Sequence, residues 1–292
     1  MLKKLALVFS LLFLVSCSEP TPKLKVSATT WIGYSPLFYA KEKGWLDELN
    51  IKLLHVVSLS ENMYLFQAGN ADAYVGTQYE YQVMSKNDPS LMPVMLFDRS
   101  YGGDVVMSNV PLPDIRSHDE SVDVYLEMDS INYLIFKDFI EAKGLQAKKF
   151  NFINQDQATI ASLNSELMER AALVVTYAPY DIELAKRGFS TLASTRNGLE
   201  LFVVDGLFTR SDVFELHRSQ FEGLKTLVNQ AIEDLKQDPQ AFYQVVKPYL
   251  LEVDFKEFEQ SLNNIVWVNQ EVPPEMEQRM RKAGFPTRGL MQ

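Results

Sequence analysis

Cysteine is almost missing from this chain: Cys17 is the only one in 292 residues. No disulfide can therefore form within it, and stability has to come from a packed core. Histidine is nearly as scarce. His55, His118 and His217 stand far apart, with neither the spacing of a metal-binding pair nor a nucleophile beside them to activate. There is no Gly-x-Ser-x-Gly elbow and no phosphate-cradling glycine loop, so the common signatures of hydrolases and nucleotide enzymes are absent. The chain reads as one that performs no catalysis and needs no metal or cofactor. A dense basic run is also lacking, and the formal charge is -10, which argues against nucleic acid as a partner. The apolar run from Leu5 to Val15 is too short for a membrane-spanning helix, which takes about 20 residues.

That run has a different meaning. Lys3 and Lys4 precede it, and Leu14-Val15-Ser16-Cys17 follows, the layout of a cleaved export signal. The four residues resemble the lipobox of bacterial lipoprotein precursors. The resemblance implies removal of residues 1–16, lipidation of Cys17 and a firm anchor in a membrane, because more than one acyl chain is attached. Residues 17–23 are polar and carry Pro20 and Pro22, which suits an extended tether. The remaining length approaches or exceeds what a single core supports, so two lobes are expected.

From Leu24 onward short apolar runs alternate with helical patterns, the mark of an α/β fold with mainly parallel strands. Strands are predicted at 24–30, 51–57, 72–76, 92–97 and 104–108, with helices at 36–43, 60–68 and 78–86 between the earlier ones. Pro111 and Pro113 read as a crossing between lobes, placing residues 24–108 in lobe 1 and 109–200 in lobe 2. Lobe 2 repeats the order: strands at 121–127, 149–153, 171–175 and 189–193, helices at 130–143, 156–169 and 179–187. Ser35 and Ser130 both stand at helix starts, Gly44 and Gly144 at helix ends, and Thr77 and Thr176 after a short strand, at offsets of 95, 100 and 99 residues. Residues 201–292 return through a strand at 201–208 and helices at 211–237, 239–247, 254–264 and 273–283, which are expected to buttress lobe 1. Two similar open sheets place their strand ends around one crevice, where ligands bind in such folds.

The strings TTWIGYSPLFYAKEKGWLDELNIKL, FQAGNADAYVG, DRSYGGDVVMS, FIEAKGL and ALVVTYAPY resemble, in order, landmarks of the bacterial binding proteins for nitrate, sulfonates, taurine and thiamine-precursor pyrimidines. The resemblance implies a two-lobed periplasmic-binding-protein fold of the second type, a monomeric lipid-anchored protein on the periplasmic face of a membrane or the cell surface, and delivery of a captured solute to an ABC permease. A protein of the same fold that reports its ligand to a membrane receptor or signalling enzyme fits the same landmarks. Two departures stand out: Tyr101 is inserted in the Ser-Gly-Asp turn, and Asp129-Ser130 replaces the glycine-serine expected at the second-lobe helix.

The loops 29–36, 77–80, 127–132 and 176–180, with the 99–104 turn, should face the crevice. Trp31 and Tyr34 either stack on a flat ligand or cover the sheet edge, and Tyr177 and Tyr180 repeat that arrangement in lobe 2. Ser35, Thr77 and Ser130 are candidate helix caps, and helix N-termini can also hold an electron-rich ligand group. Ser100 belongs to the turn. Glu80, Asp104, Glu127 and Asp129 lie on these loops, whereas Arg99 is the only cation there. An oxyanion would be repelled by unpaired carboxylates and would want an arginine fork. A neutral or cationic nitrogenous ligand, a pyrimidine or an amine, is therefore expected.

Overall fold

Among the described residues eleven strands form two sheets, one in each lobe, and each sheet takes in one strand where the chain has just crossed from the other lobe. The computed structural model describes residues 22–117, 120–282, 284–287 and 290–291; the export signal, Cys17, most of the tether and His118 lie outside the described residues. In the first sheet β1 (Leu24–Ala28) pairs in parallel with β2 (Ile51–His55) and β3 (Ala73–Thr77). Beyond β3 come β10 (Val204–Arg210), β4 (Leu91–Ser100) and β11 (Ile265–Trp267), each antiparallel to its neighbour, giving the order β11-β4-β10-β3-β1-β2. The second sheet repeats the plan with β6 (Val122–Leu126), β7 (Phe150–Asn154), β8 (Ala172–Tyr177), β5 (Asp104–Ser108) and β9 (Ser190–Ser194), ordered β7-β6-β8-β5-β9. In both sheets the antiparallel member beside the third parallel strand has just crossed from the other lobe: β10 enters the first, β5 the second.

This corrects the position of the first crossing. β5 bonds along its length to β8 and β9, so the chain changes lobes at residues 101–103 and not at the prolines near 111. Pro111 and Pro113 instead flank the start of α5 (Leu112–Ser117), because proline is tolerated where a helix begins and its missing N–H costs nothing. The mistake has a simple origin: prolines at a helix start and in a linker look alike in sequence.

The remaining helices are α1 (Ser35–Glu42), α2 (Trp45–Glu48), α3 (Leu59–Gln67), α4 (Gln78–Ser85), α6 (Ile131–Ala142), α7 (Gln157–Ala161), α8 (Tyr180–Lys186), α9 (Ser211–Leu216), α10 (Arg218–Gln237), α11 (Pro239–Val246), α12 (Phe255–Ser261) and α13 (Pro274–Lys282). Three are shorter than their hydrophobic pattern predicts. The expected helix over 156–169 stops at Ala161, where Ser162 and Asn164 bond to nearby backbone and a 3-10 turn follows, the competition that short polar side chains offer to a helix. The one over 211–237 breaks at His217, whose imidazole bonds Gln220 at 2.6 Å while the Gln220 amide reaches the Leu49 carbonyl at 2.8 Å. The helix predicted at 254–264 ends at Ser261 and gives way to β11, an unforeseen edge strand too short to show a period.

The C-terminal helices pack on lobe 1. Phe221, Leu224, Val228, Ala231, Ile232 and Leu235 of α10 fall on one face at helical spacing and are buried. Tyr39 of α1 stacks on Phe242 of α11 at 4.4 Å and 8°, and Phe38 stacks on Tyr249 at 4.4 Å. Met276, Met280 and Phe285 close a second cluster around Tyr81 and Phe208. Burying each of these aromatic side chains contributes about 1.5–3 kcal/mol, which makes lobe 1 a stiff platform for the site at its strand ends.

Candidate functional site

Where the two sheets face each other, β1, β3, β6 and β8 all end and helices begin. Residues 29–34 leave β1 and cross toward lobe 2: the Ile32 N–H donates to the Ala178 carbonyl at 3.3 Å, and Trp31 meets Tyr177 edge to face at 5.9 Å. Trp31 is only 5% exposed and its indole N–H points at both oxygens of Asp98, at 3.2 and 3.3 Å. The Tyr34 hydroxyl donates to Asp205. Gly33 is what allows this approach, since a Cβ there would run into the Asp98 carboxylate and stand 2.5 Å from the indole nitrogen. Gly33→Ala is accordingly expected to destabilise the protein by about 2 kcal/mol through overpacking, read as a lower urea midpoint; an unchanged midpoint would mean Trp31 and Asp98 are free to move apart.

A small cavity of about 10 Å³ remains among these side chains, lined by Trp31, Tyr34, Thr77, Asp104, Tyr177 and Asp205 together with Thr29, Leu59, Ile131 and Val203. That is room for roughly one water molecule. No lysine or arginine is in the lining. Arg99, the expected nearby cation, lies over the rings of Tyr101 and Phe202, with its guanidinium 5.2 and 5.1 Å from their centres.

Carboxylates dominate. Glu80, Asp98, Asp104, Glu127 and Asp205 are each 3% exposed or less, and burial is the first cause of a raised pKa in every one. It pushes Asp104 up to about 7, Asp98 up to about 8 and Glu127 up to about 8, and raises Asp205 well above the ordinary carboxylate value. Glu80 is raised too, against the opposing pull of its hydrogen bonds from Thr77 and Ile131. Several buried polar atoms have no partner: Asp104 Oδ2, the Thr29 and Ser35 hydroxyls, and the Tyr177 hydroxyl. A buried polar group left unpaired costs about 1–3 kcal/mol, so these atoms are available to a hydrogen-bonding partner.

The other expected site residues take varied places. Ser130 caps α6, accepting from the Asn132 N–H at 3.2 Å, and Thr77 caps α4 in a capping box with Glu80. Ser35, expected as a cap, is not one: Tyr34 takes the cap position of α1 without a side-chain bond, because a 3-10 turn over Ile32–Tyr34 runs straight into the helix. Ser100 holds the crossing turn, bonding Thr195 at 2.7 Å and accepting from the Asp104 N–H at 3.1 Å. Tyr180 packs against Tyr177 at 5.5 Å, outside the lining. Asp129 is exposed at the rim, accepting from the Tyr64 hydroxyl at 3.3 Å.

Asp98 and Asp205 escaped the sequence reading. Asp98 continues an apolar strand predicted to stop at 97. Asp205 had a usable signal: it pairs with Thr77 at the end of β3 as Asp104 pairs with Tyr177 at the end of β8, and it follows Asp104 by 101 residues (205 minus 104), close to the offset between the halves. Among the described residues no group of three or more His, Cys, Asp or Glu side chains is placed to hold a metal ion.

Two sheets of matching order, joined by exchanged strands and enclosing a site at their facing strand ends, invite comparison with solved structures. A Candida albicans protein exhibiting the generic periplasmic binding protein structural fold superposes with a TM-score of 0.66 at 13% identity, over 90% of each chain. This is the periplasmic-binding-protein fold. The alkanesulfonate-binding protein SsuA of Xanthomonas axonopodis pv. citri, solved bound to MOPS, is similar at TM-score 0.70 and 11% identity, over 91% of this chain and 92% of that one. A zinc-bound ligand-binding component of an ABC-type import system from Staphylococcus aureus gives 0.68 at 12%, over 89% and 91%. No family model matches the chain, and no curated protein matches it in sequence.

Proposed function

We propose that the protein is an extracytoplasmic solute-binding lipoprotein that captures a small nitrogenous cation, an amine or a protonated pyrimidine, in the cleft between its lobes and delivers it to an ABC importer. The observation that carries the ligand class is a cavity lined by Asp104 and Asp205 with no lysine or arginine, while the buried Asp98, Glu80 and Glu127 bond the lining residues Trp31, Ile131 and Leu59. Trp31, Tyr34 and Tyr177 add aromatic faces of the kind that attract cations, and the unpaired Tyr177 hydroxyl and Asp104 Oδ2 supply hydrogen-bond acceptors. An alkanesulfonate, which the SsuA relative binds by name, would bring negative charge into this acidic site with no cation to meet it. The import role is supported by the shared fold and by the named role of the Staphylococcus relative; export and anchoring are supported by the Leu14–Cys17 signal. With room for about one water, the cavity holds an amine or a pyrimidine only if the lobes part.

Native mass spectrometry of freshly purified protein, followed by a thermal-shift panel, tests the reading. Amines or pyrimidines are expected to raise the melting temperature, while nitrate and sulfonates leave it unchanged. Stabilisation by an oxyanion alone, or by no class at all, rules it out. Co-purification from detergent-solubilised membranes is expected to bring down an ATPase-linked permease; a receptor or signalling enzyme in its place would move the role from import to sensing.

A further inference from the structure

Two contacts across the cleft mirror each other. Glu80, in lobe 1, accepts the Ile131 N–H at the start of α6 in lobe 2, at 2.9 Å. Glu127, in lobe 2, accepts the Leu59 N–H at the start of α3 in lobe 1, at 3.0 Å. Both glutamates are buried, at 1% and 2% exposure, and Leu59 and Ile131 line the cavity. The first turn of a helix presents unpaired N–H groups and partial positive charge, the natural seat of an anion. Here both seats that look across the cleft are taken by carboxylates of the opposite lobe.

Several donors at other helix starts of the cleft are also engaged. At α4 the Thr77 N–H and hydroxyl both donate to Glu80, and the Thr77 hydroxyl accepts from the Tyr79 N–H. At α1 Pro36 removes one donor, and the Tyr34 N–H bonds the Trp31 carbonyl. At α3 the Glu61 N–H is capped by Ser58, and at α6 the Asn132 N–H by Ser130.

We propose that Glu80 and Glu127 are the specificity-determining residues of the cleft: each carboxyl group occupies the opposite lobe's helix start, closing the empty protein and denying that seat to an oxyanion. The part concerning solute choice rests on the cleft being the solute site; the part concerning closure does not. Glu80 is the fixed half of the device, because its bonds to Thr77 hold the carboxylate in place before the lobes meet. Glu127 is the other half: it accepts the Leu59 N–H across the cleft, and the Gln157 N–H of its own lobe also bonds it. An arriving oxyanion finds the Leu59 and Ile131 N–H groups already bonded. A cation finds the same carboxylates and needs no helix start.

The test uses the mature chain in four forms: unaltered, Glu127→Gln, Glu127→Ala and Glu80→Gln with Glu127→Gln. Small-angle scattering without ligand is expected to show the unaltered protein closed and the double variant expanded, with circular dichroism unchanged. Titration with sulfate and methanesulfonate is expected to give no binding to the unaltered protein and at least about tenfold tighter binding to Glu127→Ala. An unaltered protein already open without ligand, or equal anion binding in all four forms, overturns the proposal. If amines still bind in that case, the cation-binding reading survives the loss of the gate. If amines bind nowhere yet Glu127→Ala takes sulfate and the double variant opens, the gate stands and the cation-binding reading falls.

Discussion

Asp104→Asn is expected to weaken binding of a small amine or protonated pyrimidine by at least about 100-fold and, in the same protein at pH 8, to raise the melting temperature. The two effects share one cause. Asp104 is 3% exposed and its Oδ2 has no partner, so a cation in the cavity gains a charge-assisted bond from it, worth about 1.5–3 kcal/mol, along with attraction at low local dielectric. About 2.7 kcal/mol corresponds to 100-fold. Without ligand the same carboxylate is a liability, since burial pushes it up to about 7 and at pH 8 it is mostly ionised with Oδ2 unpaired. Asparagine keeps the shape and removes the charge. Calorimetric titration and thermal unfolding of the two proteins check both halves. Undiminished affinity would place the ligand elsewhere, and a large loss of stability would mean that Asp104 supports the fold through contacts its unpaired oxygen does not reveal.

The ligand-free protein should also become less stable as pH rises from 5 to 8.5, the reverse of ordinary acid denaturation. Asp98 is pushed up to about 8, Asp104 to about 7, Glu127 to about 8 and Asp181 to about 6, all first by burial. In the unfolded chain these groups titrate near 4. Between about pH 4 and pH 8 the folded state thus holds protons that the unfolded state has released, and stability falls as pH climbs through that window. One pKa unit is about 1.4 kcal/mol, so Asp104 alone accounts for up to about 4 kcal/mol. At about 2–4 °C per kcal/mol, a fall of at least about 10 °C in melting temperature is expected between pH 5 and 8.5. Cation affinity should move the opposite way, tightening as the carboxylates ionise. A melting temperature that rises over the same range would show that the acids are solvated or paired in solution.

Much of this architecture could be read from the residues. The alternation of strands and helices, the repeat between halves and the location of the cleft all rest on local signals: the Gly44 and Gly144 helix ends, the Ser130 cap, and the aromatic loops that carry Trp31 and Tyr177. Other features depend on partners distant in sequence and left no local mark. Nothing near Pro111 distinguishes a helix start from a linker, because the membership of β5 is decided by pairing with residues near 175 and 192. Asp98 looks like the polar end of an apolar strand until Trp31, 67 positions earlier, is seen to donate to it. Glu80 and Glu127 were legible as cleft acids, yet their attachment to Ile131 and Leu59 required both lobes at once. Ser35 had the right residue type for a cap and lost that role to the 3-10 turn before it, which a propensity argument does not anticipate.

The exchange of β5 and β10 also bears on how the chain acquires its structure. As it emerges from its N-terminus, β3 and β4 are complete by residue 100, but the strand that lies between them is not made until residues 204–210. Lobe 1 must therefore wait, with two open strand edges, for more than half of the remaining chain, and closing so long a loop is slow. Exposed edges are the surfaces on which chains join wrongly. A fragment ending near residue 200 should accordingly aggregate instead of leaving an intact lobe 1, and the full chain would gain from a holding chaperone until its last third arrives.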